Sequence, residues 1–420
     1  MSCFEIVGGA RLCGEIQIQG AKNSALPVLT ATLLNRSLNV IHNCPMLTDV
    51  RAATDILCAL GCKVNLKGHT VIIDSECANG CEISETLMSR MRASIVFLGA
   101  VLSRFRQAKL SFPGGCELGP RPIDLHIDAL RKMGTKIEEK HGFLVCEAPK
   151  GLHGTEIHLP LPSVGATENF LMAAVLAKGI TTIRNAAREP EICDLANFLN
   201  SCGAKIFGAG DSMIVIHGVT ALHESEFTVM PDRIVAATYL AAGAITSGRV
   251  TVTNVVPQHL WPVIPVFAEA GCDLRVGADE ITLIAPKRLR RVKQITTMAY
   301  PGFPTDAQPP IMAMLTIADG TSVFVENIFQ NRYRHADALM RMGATVKIEG
   351  RVCVVEGVPA LYGAQVEATD LRGGAALVLA GLAAEGVTRV YGLHHILRGY
   401  ENMEQVLLSA GAKIHLSDVE

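Results

Sequence analysis

LCALGCKV, residues 57–64, closes an apolar helical stripe, turns at Gly61 and enters a strand-like run. The same unit returns as LRKMGTKI (130–137), LNSCGAKI (199–206), FAEAGCDL (267–274), LMRMGATV (339–346) and LLSAGAKI (407–414). Glycine just past the last helical residue is the expected left-handed cap, because it alone takes positive φ without steric cost. Gly61, Gly134, Gly203, Gly271, Gly343 and Gly411 therefore mark six repeats, each ending an amphipathic helix and beginning a strand.

A second helix type alternates with the first and is apolar on every side. SALPVLTATLLN (24–35), SIVFLGAVLSRF (94–105), NFLMAAVLAKG (169–179), ATYLAAGAITSG (237–248), PIMAMLTIADG (310–320) and AALVLAGLAAEG (375–386) fill this slot. A helix that is hydrophobic all round is buried rather than laid on a surface. Runs such as TTIRNAA, VTVTNVV and SVFVENI follow several of them and carry the β-branched content of strands. Each repeat thus holds one buried helix, one amphipathic helix and several strands. Six such units predict two α/β domains of three repeats each, and the early strand GEIQIQG is predicted to cross over into the second domain.

The chain has 420 residues, 49% of them hydrophobic and 19% charged, with a net charge of −2. That length accommodates two or three sizeable cores. The near-neutral balance and the absence of a basic run argue against nucleic-acid binding, so anionic ligands would have to be held by local arginines. No leader pattern opens the sequence, and no apolar run reaches the ~20 residues of a membrane span, so a cytoplasmic location without membrane insertion is expected. Thirteen scattered cysteines read as reduced thiols rather than a disulfide framework. Cys58 and Cys62, and likewise Cys77 and Cys81, are spaced like metal ligands, but Cys58 falls in a helical stripe and packing is the expected role. His126, His394 and His395 lack zinc-site spacing and are expected to be structural or at the surface. No metal and no cofactor are expected.

FPGGCELGPRPIDLH (112–126) sets Cys116 behind Gly114 and Gly115 and ahead of Arg121. A buried structural thiol would not need those glycines, and no partner for a disulfide stands nearby. The segment reads as a mobile lid that carries chemistry.

With GAKNSALP (20–27), FPTDAQP (303–309), ENIFQNRYRH (326–335), ATDLRGGAALVLAG (368–381) and LRGYENME (397–404), the repeats and this loop resemble the enolpyruvyl transferases across the whole chain. The resemblance is to the branch whose acceptor is a nucleotide sugar. It implies an inside-out α/β barrel in each of two domains, residues 22–229 with the catalytic loop 112–126, and residues 1–21 with 230–420. It also implies the reaction: the enolpyruvyl group of phosphoenolpyruvate moves to the 3-hydroxyl of UDP-N-acetylglucosamine with release of phosphate, the first committed step of peptidoglycan synthesis. Those two small molecules are the implied partners, and a monomer is favoured, although nothing in the sequence fixes the oligomeric state.

Addition followed by elimination needs an acid for the vinyl carbon, a group at the hydroxyl, cations for phosphate and carboxylate, and exclusion of water. By resemblance Cys116 is the general acid, able also to carry phosphoenolpyruvate covalently and to be alkylated by epoxides such as fosfomycin. Lys22, Arg92, Arg121 and Arg398 hold phosphoenolpyruvate, and Lys22 and Arg398 share in the chemistry. Asn23 contacts the nucleotide sugar. Asp306 stands at the 3-hydroxyl as base or as orienting group, against the plainer reading that it caps the following helix, a task open to Thr305 as well. Arg121, Pro122, Ile123, Asp124 and Leu125 form the uridine loop, Ser163, Val164 and Gly165 line the nucleotide, and Ile328 touches the sugar. Asp370 and Arg372 are a charged pair shaping the same pocket.

Four positions depart from the family pattern: Leu397 and Val235 where an acidic residue is usual, Gln330 in place of glutamate, and Pro310 in place of glutamine. Leu397, beside Arg398, has the most direct bearing on function. The neighbouring branch of the family, which takes shikimate-3-phosphate, lacks the PGGC loop. A catalytically silent paralogue that only binds nucleotide sugar is the alternative from outside enzymology, and the intact Lys22, Cys116, Asp306 and Arg398 argue against it.

Overall fold

The computed structural model of the protein describes residues 2–91, 93–111 and 123–418. Arg92, Gly114, Gly115, Cys116, Arg121 and Pro122 lie outside these. The chain divides into two compact units. One takes the N-terminal residues through Gln19 and the chain from Pro231 onward; the other takes the described residues from Gly20 to Met230.

All six predicted turns form as expected. Gly61, Gly134, Gly203, Gly271, Gly343 and Gly411 have φ between 92° and 96°. Each ends an outer helix, such as Thr48–Ala59 or Pro190–Ser201, and leads into the first strand of a hairpin, such as Lys63–Lys67 with Thr70–Asp74. The inner helices are buried as their composition requires. Every residue of Arg233–Ile245 and of Gln308–Leu315 is buried, and Leu371–Ala383 packs against both within the same unit. Lys22–Ala31, Phe97–Phe105 and Val164–Ala174 play this part in the other unit, where the last two pack on each other. With no polar face to present to water, these helices sit inside and the sheets lie outside them, which is the inside-out α/β barrel.

Several of the apolar stretches extend beyond their helices. PIMAMLTIADG stays helical only to Leu315, and NFLMAAVLAKG only to Ala174. The rest of each stretch turns into the next strand through Gly320 (φ 100°) or Gly179 (φ 96°). Other repeats place Arg36, Arg106 and Ser247 at positive φ in the equivalent turn, so the backbone geometry persists where the glycine does not.

Among the described residues there are six four-stranded sheets with one repeating order. A short strand runs parallel to the strand after the buried helix, and an antiparallel pair of strands, a hairpin in all but the last sheet, completes it. Glu156–His158, Ile180–Arg184, Met213–His217 and Lys205–Phe207 lie in that order, with Ile157 opposite Ile183 and Ile183 opposite Ile214. Two sheets borrow strands from the N-terminus. Cys13–Gln17, which contains most of GEIQIQG, pairs in parallel with Arg249–Thr253. Ser2–Val7 takes the third position of the last sheet, antiparallel to both Val387–Tyr391 and Lys413–Asp418.

Candidate functional site

In the unit that begins at Pro231, the chemistry-bearing side chains gather round Asp306, which lies in the single turn Thr305–Ala307 ahead of the helix Gln308–Leu315. Its two carboxylate oxygens go to different guanidinium groups. Arg332 Nη2 donates to Oδ1 at 3.0 Å, and Arg372 donates to Oδ2 from Nε at 3.2 Å, with its Nη2 also 3.2 Å from that oxygen. The arginine side chains are 1% and 2% exposed, while the Asp306 side chain is 28% exposed. A carboxylate with two buried cations behind it and one open side is fixed in position yet still reachable. Neither expected capping role occurs: the following helix has no side-chain cap, Pro309 stands in its first turn where N–H groups would otherwise need an acceptor, and Thr305 Oγ1 donates to Glu326 Oε2 at 3.0 Å.

Arg332 and Glu326 belong to this cluster although the sequence reading did not single them out. Arg332 donates twice to the Thr305 carbonyl, from Nε at 3.1 Å and Nη2 at 2.8 Å, so a single guanidinium grips both the backbone and the carboxylate of this turn. Glu326, 1% exposed, accepts from the Ile328 and Phe329 N–H groups at 2.8 and 3.0 Å. It thereby shapes the loop that presents Ile328, whose side chain is 44% exposed. The run of cations in RYRH was the available signal for Arg332; Glu326 offered none beyond its place in the motif.

Asp370 and Arg372 are close in sequence but do not face each other. Asp370 caps the helix Leu371–Ala383, its Oδ1 accepting from the Arg372 and Gly373 N–H groups, while the Arg372 side chain turns to Asp306 and stacks 5.4 Å from the centre of the Tyr400 ring. Burial works against the charge of Arg372, but Tyr400, Asp306 and Asp232 outweigh it and hold the guanidinium above its ordinary value. Close to Asp370 lies His335, buried, with no hydrogen bond to either ring nitrogen among the described residues. Burial pushes it down to about 4 against the opposing pull of Asp370, so it is neutral at physiological pH. Arg398 is half-buried, just past the short helix Leu393–Ile396. Of the departures from the family pattern, Leu397 is 42% exposed, Gln330 is exposed, Val235 is a core residue of the helix Arg233–Ile245, and Pro310 is buried in the helix that follows Asp306.

The other unit holds the remaining expected positions. Lys22 opens the buried helix Lys22–Ala31 and pairs with Asp49, at the start of Thr48–Ala59, with Nζ 3.2 Å from Oδ2. Asn23 beside it is half-buried. Ile123, Asp124 and Leu125 lead into the helix Asp124–Lys132, with Asp124 exposed in its first turn. Ser163 caps Val164–Ala174 by accepting from Ala166 N, which leaves Val164 and Gly165 at a helix N-terminus. His126, expected to be structural or at the surface, is 6% exposed, and its Nδ1 lies 3.0 Å from Asn169 Nδ2. Deeper in this unit, burial first, and the charges of Glu191 and Glu189 second, push the Glu168 carboxyl well up. Of the cysteines, Cys62 is buried and pushed up to about 12, while Cys58 lies on the exposed side of its helix. Cys58 therefore does not take the packing role read for it.

No helix among the described residues is long and apolar enough to cross a membrane. The profile of a family described as EPSP synthase (3-phosphoshikimate 1-carboxyvinyltransferase) matches residues 6–407. The chain is 53% identical over 414 residues to UDP-N-acetylglucosamine 1-carboxyvinyltransferase 2 of Caldanaerobacter subterraneus subsp. tengcongensis, covering 99% of both proteins. It is 45% identical to UDP-N-acetylglucosamine 1-carboxyvinyltransferase of Finegoldia magna over 100% of both. Among solved structures it resembles the enolpyruvyl transferase NikO from Streptomyces tendae, with a TM-score of 0.90 at 27% identity, covering 100% of this chain and 99% of that one. EPSP synthase from Acinetobacter baumannii shares the fold, with a TM-score of 0.78 at 19% identity and full coverage of both chains.

Proposed function

The chain belongs to the family of EPSP synthase (3-phosphoshikimate 1-carboxyvinyltransferase), and from that premise we propose that it transfers the enolpyruvyl group of phosphoenolpyruvate to the 3-hydroxyl of UDP-N-acetylglucosamine. The choice of acceptor is carried by one observation: relatives bearing that activity in their names match the chain end to end at 45–53% identity. The geometry supports the chemistry through Asp306, a carboxylate held by two buried arginines with one side open.

The acceptor oxygen bonds to the central carbon of phosphoenolpyruvate while the vinyl carbon takes a proton. Loss of a proton from that carbon, with departure of phosphate, then restores the double bond. Cys116 supplies the first proton in this reading, and Asp306 orients the hydroxyl or takes its proton. Lys22, Arg92, Arg121 and Arg398 hold the phosphate and carboxylate oxygens, with Arg372 and Asp370 shaping the pocket. Forked guanidinium contacts suit both groups because they stay charged throughout. Asn23, Pro122, Ile123, Asp124, Leu125, Ser163, Val164, Gly165 and Ile328 hold the nucleotide sugar. The domains in this reading are those the resemblance implies, 22–229 with the 112–126 loop and 1–21 with 230–420, and the enzyme works in the cytoplasm at the committed step of peptidoglycan synthesis, where fosfomycin would alkylate Cys116.

Phosphate release tests the reading. Wild type given phosphoenolpyruvate should release phosphate with UDP-N-acetylglucosamine and not with shikimate-3-phosphate, and Cys116→Ala should lose at least about a hundredfold, the usual worth of a positioned proton donor. Release with shikimate-3-phosphate alone would overturn the acceptor. Full turnover in the variant would remove Cys116 as the acid.

A further inference from the structure

The residues that open the buried helix Lys22–Ala31 are held in a closed ring of hydrogen bonds, all of them within the unit that takes the described residues from Gly20 to Met230. The Ala21 N–H donates to the Met230 carbonyl at 2.7 Å, and the Ala21 carbonyl accepts from the Ser24 N–H at 3.2 Å and the Ala25 N–H at 2.8 Å. One side chain closes the ring. Asp194, on the helix Pro190–Ser201, accepts at a single oxygen, Oδ2, from the Ser24 hydroxyl and from the Met230 N–H, the latter at 3.2 Å. Met230 thus grips Ala21 through its carbonyl and Asp194 through its N–H, and Ser24 ties Asp194 back to the first turn of the helix. Lys22 and Asn23 are the two residues between these points of attachment. A Cβ on Gly20 would collide with the Asn43 carbonyl, so the chain enters the ring pressed against the backbone that follows the strand Leu38–His42.

The helix Lys22–Ala31 has no side-chain cap at Ala21, and the Ser24–Asp194 pair secures its first turn from the flank instead. Ser24 is fully buried and Asp194 is 8% exposed, and a carboxyl group is costly to bury unless its hydrogen bonds are made. Burial pushes the Asp194 carboxyl up, the bonds from Ser24 and Met230 pull it down, and Glu191 adds to the rise. Among the described residues no cation pairs with it, so the site uses an accepting oxygen rather than a charge.

We propose that Asp194 is the positioning residue for Lys22 and Asn23, its Oδ2 fixing the backbone of both through Ser24 on one side and Met230 on the other. The inference rests on the reading of Lys22 as a phosphoenolpyruvate contact and of Asn23 as a nucleotide-sugar contact. Neighbours in sequence then serve different substrates, and a shift of their shared backbone displaces both contacts at once. Asp49, 3.2 Å from Lys22 Nζ, steadies the head group of one of them; Asp194 acts on the backbone of the pair.

The test uses the full chain and three variants. Asp194→Ala takes the acceptor from two buried donors, Ser24→Ala removes one donor, and Asp194→Asn puts an uncharged carbonyl oxygen in the place of Oδ2. In steady-state phosphate release, Asp194→Ala should raise KM for phosphoenolpyruvate and for UDP-N-acetylglucosamine together, each by roughly ten- to a hundredfold, the upper figure being what a misplacement of about 1 Å costs. Its kcat should fall less. Ser24→Ala should raise both by a smaller factor, and Asp194→Asn should return both close to wild type. A variant that only folded less well would lose kcat in proportion to the enzyme lost and leave both KM values alone. Hydrogen exchange of the ligand-free protein is the second readout: Asp194→Ala should lose protection at Ala21, Ser24 and Ala25 and keep it across Phe97–Phe105. Thermal melting checks that each variant is folded at the assay temperature.

Unchanged exchange at Ala21, Ser24 and Ala25 in Asp194→Ala would overturn the anchor whatever the substrates are. Lost protection with both KM values unchanged would overturn the positioning role while leaving the proposed reaction standing. An Asp194→Asn no better than Asp194→Ala would overturn the assignment to the accepting oxygen and give the role to the charge. A wild type that releases no phosphate with UDP-N-acetylglucosamine would overturn the reaction and this role within it together, and exchange, read without ligand, tells that failure from loss of the anchor.

Discussion

Arg332 makes three hydrogen bonds to one turn, two to the Thr305 carbonyl and one to Asp306, from a side chain that water does not reach. Lysine keeps the charge but has no fork, so Arg332→Lys cannot make all three. The expected result is a loss of about 1–3 kcal/mol in urea unfolding and a fall in the rate of phosphate release of roughly ten- to a hundredfold, with KM for UDP-N-acetylglucosamine changed less than kcat. An unchanged kcat in the folded variant would deny Arg332 its role in positioning Asp306. His126 makes a pH prediction at the same scale. Its folded value of about 4 lies below the ordinary 6.5, so the unfolded chain takes up its proton first as pH falls. This group's contribution is complete above pH 6.5 and declines down to about pH 4, by up to ~3 kcal/mol. Urea unfolding of wild type and His126→Gln at pH 7 and pH 4.5 should therefore give a smaller drop in the variant. Asp306 could be picked from its motif, whereas the roles of Arg332, Glu326 and Asn169 could not, because Arg332 and Glu326 act on Thr305 and Asp306, and Asn169 on Gly99, tens of residues away in sequence.

The repeated glycines can be tested against one another at the level of the element. All six sit at nearly the same φ, but their surroundings differ. A Cβ on Gly411 would meet only the Arg11 carbonyl at 3.7 Å, while one on Gly134 would come within 2.8 Å of the His153 ring. Gly411→Ala should therefore show the backbone cost alone, ~1–2 kcal/mol, and Gly134→Ala should cost more because the ring has to move. Equal losses, read by chemical denaturation, would mean that strain at φ is the whole effect. These turns, and the helices they end, were legible because their signals are local: a 3.6-residue apolar period ending in a residue without Cβ. The ends of the buried helices were not legible. An all-apolar stretch has no polar residue to mark where helix gives way to turn, and Arg106 or Ser247 can hold the left-handed turn that glycine holds elsewhere.

On the scale of the whole molecule, the strand Ser2–Val7 carries more than its length suggests. It sits between Val387–Tyr391 and Lys413–Asp418, with Cys3, Phe4 and Ile6 buried. Removing residues 1–7 would leave Lys413–Asp418 without a ladder partner, bare one edge of Val387–Tyr391 and open the core beneath them. Hydrogen exchange of such a truncation should lose protection across 365–418 and keep it across 164–217; retained protection in 365–418 would mean the sheet closes without its central strand. Repeat number, the alternation of buried and outer helices, the α/β class and the capping glycines all follow from the sequence itself, since each depends on the period and chemistry of residues within a few turns of one another. Which strand closes which sheet, which arginines hold Asp306, and which groups surround the Asn169 amide were decided only in the tertiary structure. Strand pairing is set by backbone groups common to every residue, and the partners of a buried polar atom are whatever the fold brings within 3 Å, so neither leaves a local pattern to read.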